Sequence, residues 1–409
     1  MAQVLPVRVR PFRDESLSSW FVRLAHANGE KVQALAHHIW GRQKRYVRLG
    51  DLDRLPSVPM QNALASASGT SSSTIRDLSL EGFVGTLWQE LETRGTRAWL
   101  RPVVDKAHRR LHGQQACPKC LAADPIPYFR KSWRLSLHCV CPEHGCLLID
   151  RCAQCQTPLT VHRGDVGTFF PEDDAGMHRC SECGADHRHA ATTPVRDEAL
   201  FYQHDLLNAL VRGGAYVMDR PVPALLFFEG MHMLWSFVDS PGHAGALSIY
   251  GMVKKPEGCL KRHGGFDKQE PALRLLLMTR VFLYLDEWPH RLIDDMQNAK
   301  ISGQRLLRFH KLGPHAVPFW LWEPVHRHLN RSMYVPSDAE IDAAVIHEVK
   351  RRGWTRIRDV CRLLDMSTNH SARVAASCHR HQALQPRFLR APLLRELREN
   401  DLPTPEPGL

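Results

Sequence analysis

The sequence lacks any run of about 18 apolar residues, which is the length that a membrane-spanning helix needs. Its two most apolar stretches, 223–238 and 273–285, are interrupted by Glu229 and Arg280 and predict buried helices instead. The first twenty residues contain no apolar core of the kind that marks a secretory signal peptide. We therefore expect a cytoplasmic protein without a membrane partner, in which the twelve cysteines stay reduced rather than form disulfides.

The motifs of the common hydrolases and nucleotide-binding enzymes are also absent. The sequence has no HExxH, no GxSxG and no glycine-rich or Walker-type phosphate loop. The aspartate pairs at 173–174 and 294–295 have no third carboxylate at the spacing of a two-metal nuclease. We therefore expect no catalytic residues and a protein that is not an enzyme.

An excess of positive charge is present, and it is concentrated at the two ends. The net charge is +11, with 17 basic against 10 acidic residues in 1–116 and 17 against 9 in 301–400. Residues 117–200 instead carry 9 basic and 11 acidic residues, a net charge of −2. This distribution favours an acidic partner, foremost a nucleic acid, bound mainly through the ends. The alternative is that arginine-rich helices at both ends are simply solvated.

Eight metal-binding side chains lie between the basic ends, in two consecutive sets of four. Each set consists of two pairs spaced by two residues, and the pairs are separated by 20 residues in the first set and 24 in the second. Such pairs form tight turns that present two donors to one ion, and zinc takes four of them tetrahedrally. The predicted ligands are Cys117, Cys120, Cys141 and His144 in the first set, and Cys152, Cys155, Cys180 and Cys183 in the second.

These predicted sites favour a structural rather than a catalytic metal. A catalytic zinc keeps one position open for water, whereas four protein donors with three or four thiolates close the coordination sphere. We expect two structural zinc ions per chain. The neighbouring Cys139 and Cys146 are interpreted as buried free thiols, and His178 and His187 as surface or loop histidines.

A helix-turn-helix is predicted from Met60 onward. Small Ala65 allows close helix approach, Gly69 suits a left-handed turn, and Ile75 and Leu78 pack the second helix onto the first. A purely structural helical hairpin has the same pattern. The outward positions, where nucleic acid would be met, are Ser71, Ser72, Ser73 and Arg76.

A second, weaker helix-turn-helix is predicted at 357–377. Asp365 stands where glycine is usual, and Ser371 replaces an apolar anchor. Arg373 and Arg380 are its candidate nucleic-acid contacts. Three further candidates, Arg130, Lys131 and Arg134, lie inside the first zinc loop, in a stretch 128–135 that is predicted as a half-buried strand. They would contact nucleic acid or a protein partner, and the alternative is that the stretch only packs over the zinc site.

The predicted fold class is mainly α, with helix-turn-helix domains flanking a tandem zinc-ribbon or zinc-finger segment with short β-hairpins. The expected organisation is an N-terminal helical domain at 1–115, a zinc segment at 116–190, a C-terminal helical domain at 191–400 and a disordered tail at 401–409.

Two stretches resemble the TniQ family. "LPVRVRPFRDESLSSWFVRLAHANG" is similar to the family's opening motif, and "ACPKCLAADPIPYFRKSWRL" followed by "CPEHGCLLIDRCAQC" resembles its zinc segment. The resemblance implies a TnsD/TniQ-type accessory protein of transposition that is not itself a recombinase. Such a protein selects the target by binding DNA or by joining an RNA-guided Cascade complex, and it recruits an AAA+ ATPase that activates a separate transposase. It also implies that the eight ligands above bind zinc, and that a homodimer forms in some members.

Other functions remain open at this point. A zinc-containing helix-turn-helix transcription regulator would share almost every feature, and a zinc-dependent nuclease or a protein-only scaffold are further alternatives. The sequence leaves undetermined whether the target is recognised directly or through a guide RNA, the target sequence and the oligomeric state.

Overall fold

The computed structural model describes residues 4–41, 51–54, 57–92, 95–103, 113–163, 176–240, 246–254, 265–307, 317–329, 336–364, 366 and 371–383. The chain divides into two compact units, Met1–Leu329 and Asn330–Leu409. The predicted boundaries near residues 115 and 190 both fall inside the first unit and stay predictions. The predicted tail at 401–409 lies outside the described residues.

In the first unit, the described residues up to 78 include four α-helices that match the predicted N-terminal helical pattern. Ser16 caps the first of them by accepting a hydrogen bond from the Ser19 amide. Gly69 ends the third in the left-handed region (φ 66°), and Ile75 and Leu78 of the fourth are buried, so the predicted helical hairpin is present. The helices are α1 (Leu17–Ala27), α2 (Val32–Trp40), α3 (Val58–Ser68) and α4 (Ser72–Leu78).

The cysteine segment follows with little regular structure. It contains the short helix α5 (Pro118–Ala123) and an antiparallel hairpin of β1 (Val140–Cys141) and β2 (Cys146–Leu147), in which Cys141 pairs with Cys146. The half-buried strand predicted at 128–135 is wrong, because Lys131–Arg134 form a 3₁₀ turn. The backbone of Arg130 forms an isolated antiparallel β-bridge with Glu15, which connects the segment to the start of α1.

A helical layer completes the first unit. The apolar stretches that were predicted as buried helices form α7 and α9, whose Phe228, Trp235 and Tyr284 are fully enclosed. The elements are α6 (Asp197–Arg212), β3 (Gly214–Val217), β4 (Arg220–Pro223), α7 (Ala224–Val238), α8 (Ile249–Met252), α9 (Pro271–Asp286), α10 (His290–Asn298), α11 (Gly303–Leu307) and α12 (Phe319–Leu329). No helix among the described ranges is both long and apolar enough to cross a bilayer.

The β1–β2 hairpin joins two hydrophobic cores. Val140 packs with α6, α7 and α9, while its neighbour Cys141 packs with α1 to α4. Successive residues of a strand point to opposite faces, so one short strand contributes to both cores. The cysteine segment therefore lies between the N-terminal helices and the C-terminal helices of the first unit.

The described residues of the second unit form three helices, α13 (Asp338–Arg352), α14 (Ile357–Leu363) and α15 (Ser371–Arg380). A capping box starts α13, since Ser337 accepts from the Glu340 amide and the Glu340 side chain accepts from the Ser337 amide. Val345, Val360, Val374 and Cys378 form its small core. Helices α14 and α15 match the second predicted hairpin, although Asp365 lies outside the described residues.

Candidate metal centres and candidate nucleic-acid contacts

The four turns that carry the predicted ligands share one backbone hydrogen bond. In each turn the amide four residues after the first cysteine donates to the carbonyl oxygen of that cysteine, over 2.9 to 3.1 Å. Residues 145, 156 and 184, which close three of these turns, all have positive φ. This tight turn brings both side chains of a pair to the same side. The donor–acceptor pairs are Leu121–Cys117, Gly145–Cys141, Gln156–Cys152 and Gly184–Cys180.

The first set converges on one point. The Sγ atoms of Cys120 and Cys141 are 3.5 Å apart, and His144 Nδ1 lies 3.7, 3.3 and 3.5 Å from the Sγ atoms of Cys117, Cys120 and Cys141. Donors arranged tetrahedrally around zinc, with Zn–S of about 2.3 Å and Zn–N of about 2.0 Å, stand about 3.5 to 3.8 Å apart. The four donors thus form a tetrahedron of the right size for one metal ion.

The second set has the same form in a more exposed setting. The Sγ atoms of Cys152 and Cys183 are 3.6 Å apart, and those of Cys155 and Cys180 are 3.5 Å apart. All four donor atoms lie within 4.8 Å of one another. Cys155 and Cys183 are exposed, whereas the three cysteines of the first set are buried. Both sets can therefore hold a metal ion.

Hydrogen bonds among the thiols favour the thiolate at one cysteine of each cluster, whereas those to Cys117 and Cys141 raise the pKa of Cys120, and burial raises that of Cys180. The Cys120 and Cys141 side chains lower the pKa of Cys117. Burial raises the pKa of Cys155, but hydrogen bonds from Thr157 and from the neighbouring cysteines outweigh it and leave a pKa of about 6. Because every corner of each tetrahedron is occupied by a protein donor, neither cluster offers a position at which water could be activated.

The neighbouring cysteines and histidines differ from the ligands. Cys139 and Cys146 are buried free thiols, as the sequence predicts, and burial raises the pKa of Cys139 to about 11. Cys146 Sγ lies 3.7 Å from Cys117 Sγ, next to the first cluster. His178 and His187 lie in turns, as expected of loop histidines, and neither belongs to a metal cluster, but both are buried rather than on the surface. Burial lowers the pKa of His187 to about 4.

The three basic candidates of the first zinc loop make intramolecular contacts. Arg134 is buried, and its guanidinium donates to both oxygens of Asp51 (2.8 and 2.7 Å) and to Asp53. Arg130 forms an ion pair with Asp124 at 3.0 Å, and the Lys131 ammonium donates to the Asp77 carbonyl at 2.6 Å. Arg134 has no surface to offer a nucleic acid, which corrects its placement among the exposed candidates.

This buried charge network was not recognised in the sequence. Asp53 also accepts from the Ser18 amide (2.6 Å) and hydroxyl (2.9 Å), which connects α1 to the network. Burial raises the pKa of Asp53, whereas Arg134 overcomes burial at Asp51 and lowers its pKa. In the sequence, the one indication of this network is the alternation of charged and apolar residues in "DLDR" at 51–54.

The candidates of the first helical hairpin lie at the start of α4. Ser71 and Ser73 are exposed, Ser72 is half-buried, and the Ser71 hydroxyl caps the helix by accepting from the Thr74 amide at 3.0 Å. Arg76 is exposed but forms an ion pair with Glu81 at 3.0 Å. The predicted outward orientation is therefore present for the exposed serines and Arg76, while a nucleic-acid contact stays a prediction.

The candidates of the second hairpin are bound to α13. Arg373 donates to Asp338 over 2.6 Å, and Arg380 donates to Asp342 over 2.8 Å. Asp342 also accepts from Ser377 and His381, and its hydrogen bonds from Ser377 and Arg380 lower its pKa. Two carboxylates of the same unit thus already neutralise the two arginines.

The two distinctive sequence motifs contact one another. The Ser19 hydroxyl in "ESLSSW" accepts from the Phe129 amide (3.0 Å) and donates to Glu15 (2.8 Å). Glu15 is buried and binds Arg23 through both oxygens. The Ser16 amide donates to the Phe129 carbonyl at 2.9 Å. The start of α1 and the first zinc loop therefore form one interface.

The TniQ family model matches residues 6–148, about a third of the 409-residue chain. The matched part includes α1 to α4, the first metal cluster and the interface between them. The resemblance to this family is thus confirmed over that region, and it marks a protein associated with transposition. No curated protein matches the chain.

Proposed function

From the match of residues 6–148 to the TniQ family, we propose that this protein is a non-catalytic accessory factor that selects the target site of a transposon. It binds target DNA, or joins an RNA-guided Cascade complex on that DNA, and it recruits the AAA+ ATPase and the transposase. A homodimer and a cytoplasmic, nucleoid-associated location are part of the proposal.

The interface between "ESLSSW" and the first zinc loop carries this proposal. The family's two motifs are far apart in sequence, yet Ser19, Phe129 and Glu15 hold them together through buried hydrogen bonds. The contacts between the two motifs are therefore architectural, because they fix a helical surface relative to a metal cluster. Such rigidity suits an adaptor that presents one partner to another.

The metal in both clusters is proposed to be zinc in a structural role. Thiolate-rich tetrahedral sets select zinc among the common divalent ions. Elemental analysis of protein purified without added metal is expected to give two zinc ions per chain, one for each cluster. Protein that folds without metal, or that carries iron instead, would contradict this assignment.

The function is tested by transposition in cells that carry the complete element. Deletion of the gene is expected to abolish insertion at the preferred target, and affinity purification of the tagged protein is expected to capture the ATPase. Capture of a Cascade complex would indicate guide-RNA targeting, whereas sequence-specific footprinting by the protein and ATPase alone would indicate direct DNA recognition. Unchanged insertion frequency and target choice after deletion would refute the proposal.

The main alternative is a zinc-containing helix-turn-helix transcription regulator, which the second unit with its α14–α15 hairpin favours. Promoter binding with altered transcript levels, and no ATPase captured, would identify it. A zinc-dependent nuclease is less well supported because both metal clusters are closed. Cleavage of plasmid DNA by the purified protein, abolished by a chelator, would be required for it.

A further inference from the structure

The arginines that the sequence singles out for nucleic-acid contact are all neutralised by carboxylates. Arg76, Arg130, Arg134, Arg373 and Arg380 each form an ion pair within their own unit. A phosphate would have to displace a carboxylate at each of these positions. Basic side chains without such partners are therefore better candidates for a polyanion surface.

The N-terminal segment 5–12 offers two of them. Arg8 and Arg10 are exposed, and neither takes part in an ion pair within the part of the chain that the structure describes. They are two residues apart in a stretch, 8–10, that has no turn or bend, so that their Cα atoms lie at most about 7 Å apart. Their charges are free to meet external phosphates.

The backbone of this segment is fixed at almost every second residue. The Leu5 amide donates to Ala67 at the end of α3, and the Asn28 side chain binds both the amide and the carbonyl of Val7 (2.9 Å each). Beyond these, the Trp20 indole donates to the Val9 carbonyl, Arg23 to the Arg10 carbonyl, and the Phe12 amide to Glu15. The segment is therefore a rigid support and not a loose arm.

Arg8 lies across the turn of the first helical hairpin. Its Cδ, Nε and Nη1 atoms would be 3.2 to 3.3 Å from a Cβ at position 69, where Gly69 has a φ of +66°. The left-handed backbone favours glycine there, and a Cβ would press against the Arg8 side chain. The turn leads directly into the exposed hydroxyls of Ser71 and Ser73. Arg8 thus adds an unpaired positive charge beside the predicted contact surface.

We propose that Arg8 and Arg10, together with Ser71 and Ser73, bind the phosphate backbone of duplex DNA alongside the first helical hairpin. This rests on the proposed function and adds a surface to it. A fixed row of charges suits a regular row of phosphates. Single strands are instead held largely by stacking on aromatic rings, and the large apolar side chains exposed within the described part of residues 4–84 are valines alone.

The test is DNA binding by the purified full chain, measured by fluorescence anisotropy with a short random-sequence duplex. The double variant Arg8→Gln/Arg10→Gln is compared with wild type between about 50 and 200 mM salt. Each lost phosphate contact lowers the salt slope by about 0.9, so the double variant should lose about 1.8 from the slope. With equal affinity at 1 M salt as the reference, this corresponds to about 60-fold weaker binding at 0.1 M salt. Arg8→Lys/Arg10→Lys should keep most of the slope.

Arg196→Gln is the matched control, because Arg196 is also exposed and free of ion pairs but precedes α6. It is expected to bind as wild type does. The proposal would be overturned by any of three results. The control and the double variant could lose affinity equally, the double variant could keep its salt slope, or the wild type could bind single-stranded RNA but not the duplex. Binding needs no transposon partner, so the expected loss of salt slope in the double variant, found together with unchanged insertion after deletion of the gene, would count against the proposed function alone.

Discussion

Replacement of Arg134 by methionine is expected to destabilise the first unit strongly. The Arg134 side chain is 1% exposed and forms a bidentate pair with Asp51, whose side chain is 13% exposed, and a further contact with Asp53, whose side chain is also 1% exposed. It also donates to the Arg101 carbonyl at 3.2 Å. Methionine preserves most of the buried volume and removes the charge. Two carboxylates then remain inside the protein, with Arg54 and His162 as the basic side chains that still act on Asp51.

The size of the expected loss in the free energy of unfolding follows from the burial of the two carboxylates that remain. Removing one partner of a buried ion pair costs about 3–5 kcal/mol, because an uncompensated charge remains in the interior. The exposed pair of Arg76 and Glu81, with side chains 57% and 37% exposed, provides the comparison. Arg76→Met is expected to cost less than about 1 kcal/mol, since water screens that pair.

The destabilisation should also depend on pH. In the wild type Arg134 lowers the pKa of Asp51 against the effect of burial, while burial raises that of Asp53. Without Arg134 both carboxyls should titrate above the unfolded value of about 3.9. A carboxyl with a raised folded pKa penalises folding above the unfolded pKa, and the penalty grows until pH reaches the folded pKa. The difference between variant and wild type should therefore shrink as pH falls from about 8 toward about 5.5.

Urea unfolding of the metal-loaded proteins, followed by tryptophan fluorescence at both pH values, measures this. Protonation of the metal ligands affects wild type and variant alike and cancels in their difference. The reasoning is refuted if Arg134→Met costs no more than Arg76→Met, or if its cost is the same at both pH values.

Three further predictions concern the metal, the core and the second unit. Cys120→Ala should lower bound zinc from two ions per chain, one in each cluster, to one, whereas Cys139→Ala should keep both; elemental analysis that finds two ions in both variants would contradict the ligand assignment. Gly230→Ala would place a Cβ 2.3 Å from the Trp320 ring, so urea unfolding should show a loss of about 1–3 kcal/mol, and wild-type stability would show that the ring moves freely. Ser337→Ala removes the cap of α13 and should cost about 1 kcal/mol in the unfolding of the second unit; an unchanged midpoint would show that the cap is dispensable.

Local patterns in the sequence were sufficient for the elements whose cause is local. The helix at 17–27 follows from a capping serine and an apolar face, and the hairpin at 58–78 follows from Gly69 between two short apolar patterns. The two metal clusters follow from pairs of donors that a single tight turn brings together, as the shared hydrogen bond of all four turns shows. Spacing alone therefore determines which side chains converge.

Whether each arginine is buried, ion-paired or exposed without a partner depends on the tertiary structure alone. Arg134 and its partners Asp51 and Asp53 are more than 80 residues apart, and nothing near Arg134 in the sequence distinguishes a buried guanidinium from an exposed one. Arg8 and Arg10 remain unpaired for the converse reason, because backbone contacts from Asn28 and Trp20 hold their segment on the surface. The sequence determines how many charged side chains there are. Whether a charge can reach an external partner depends on long-range packing, because packing sets the distance from each cation to a carboxylate and to water.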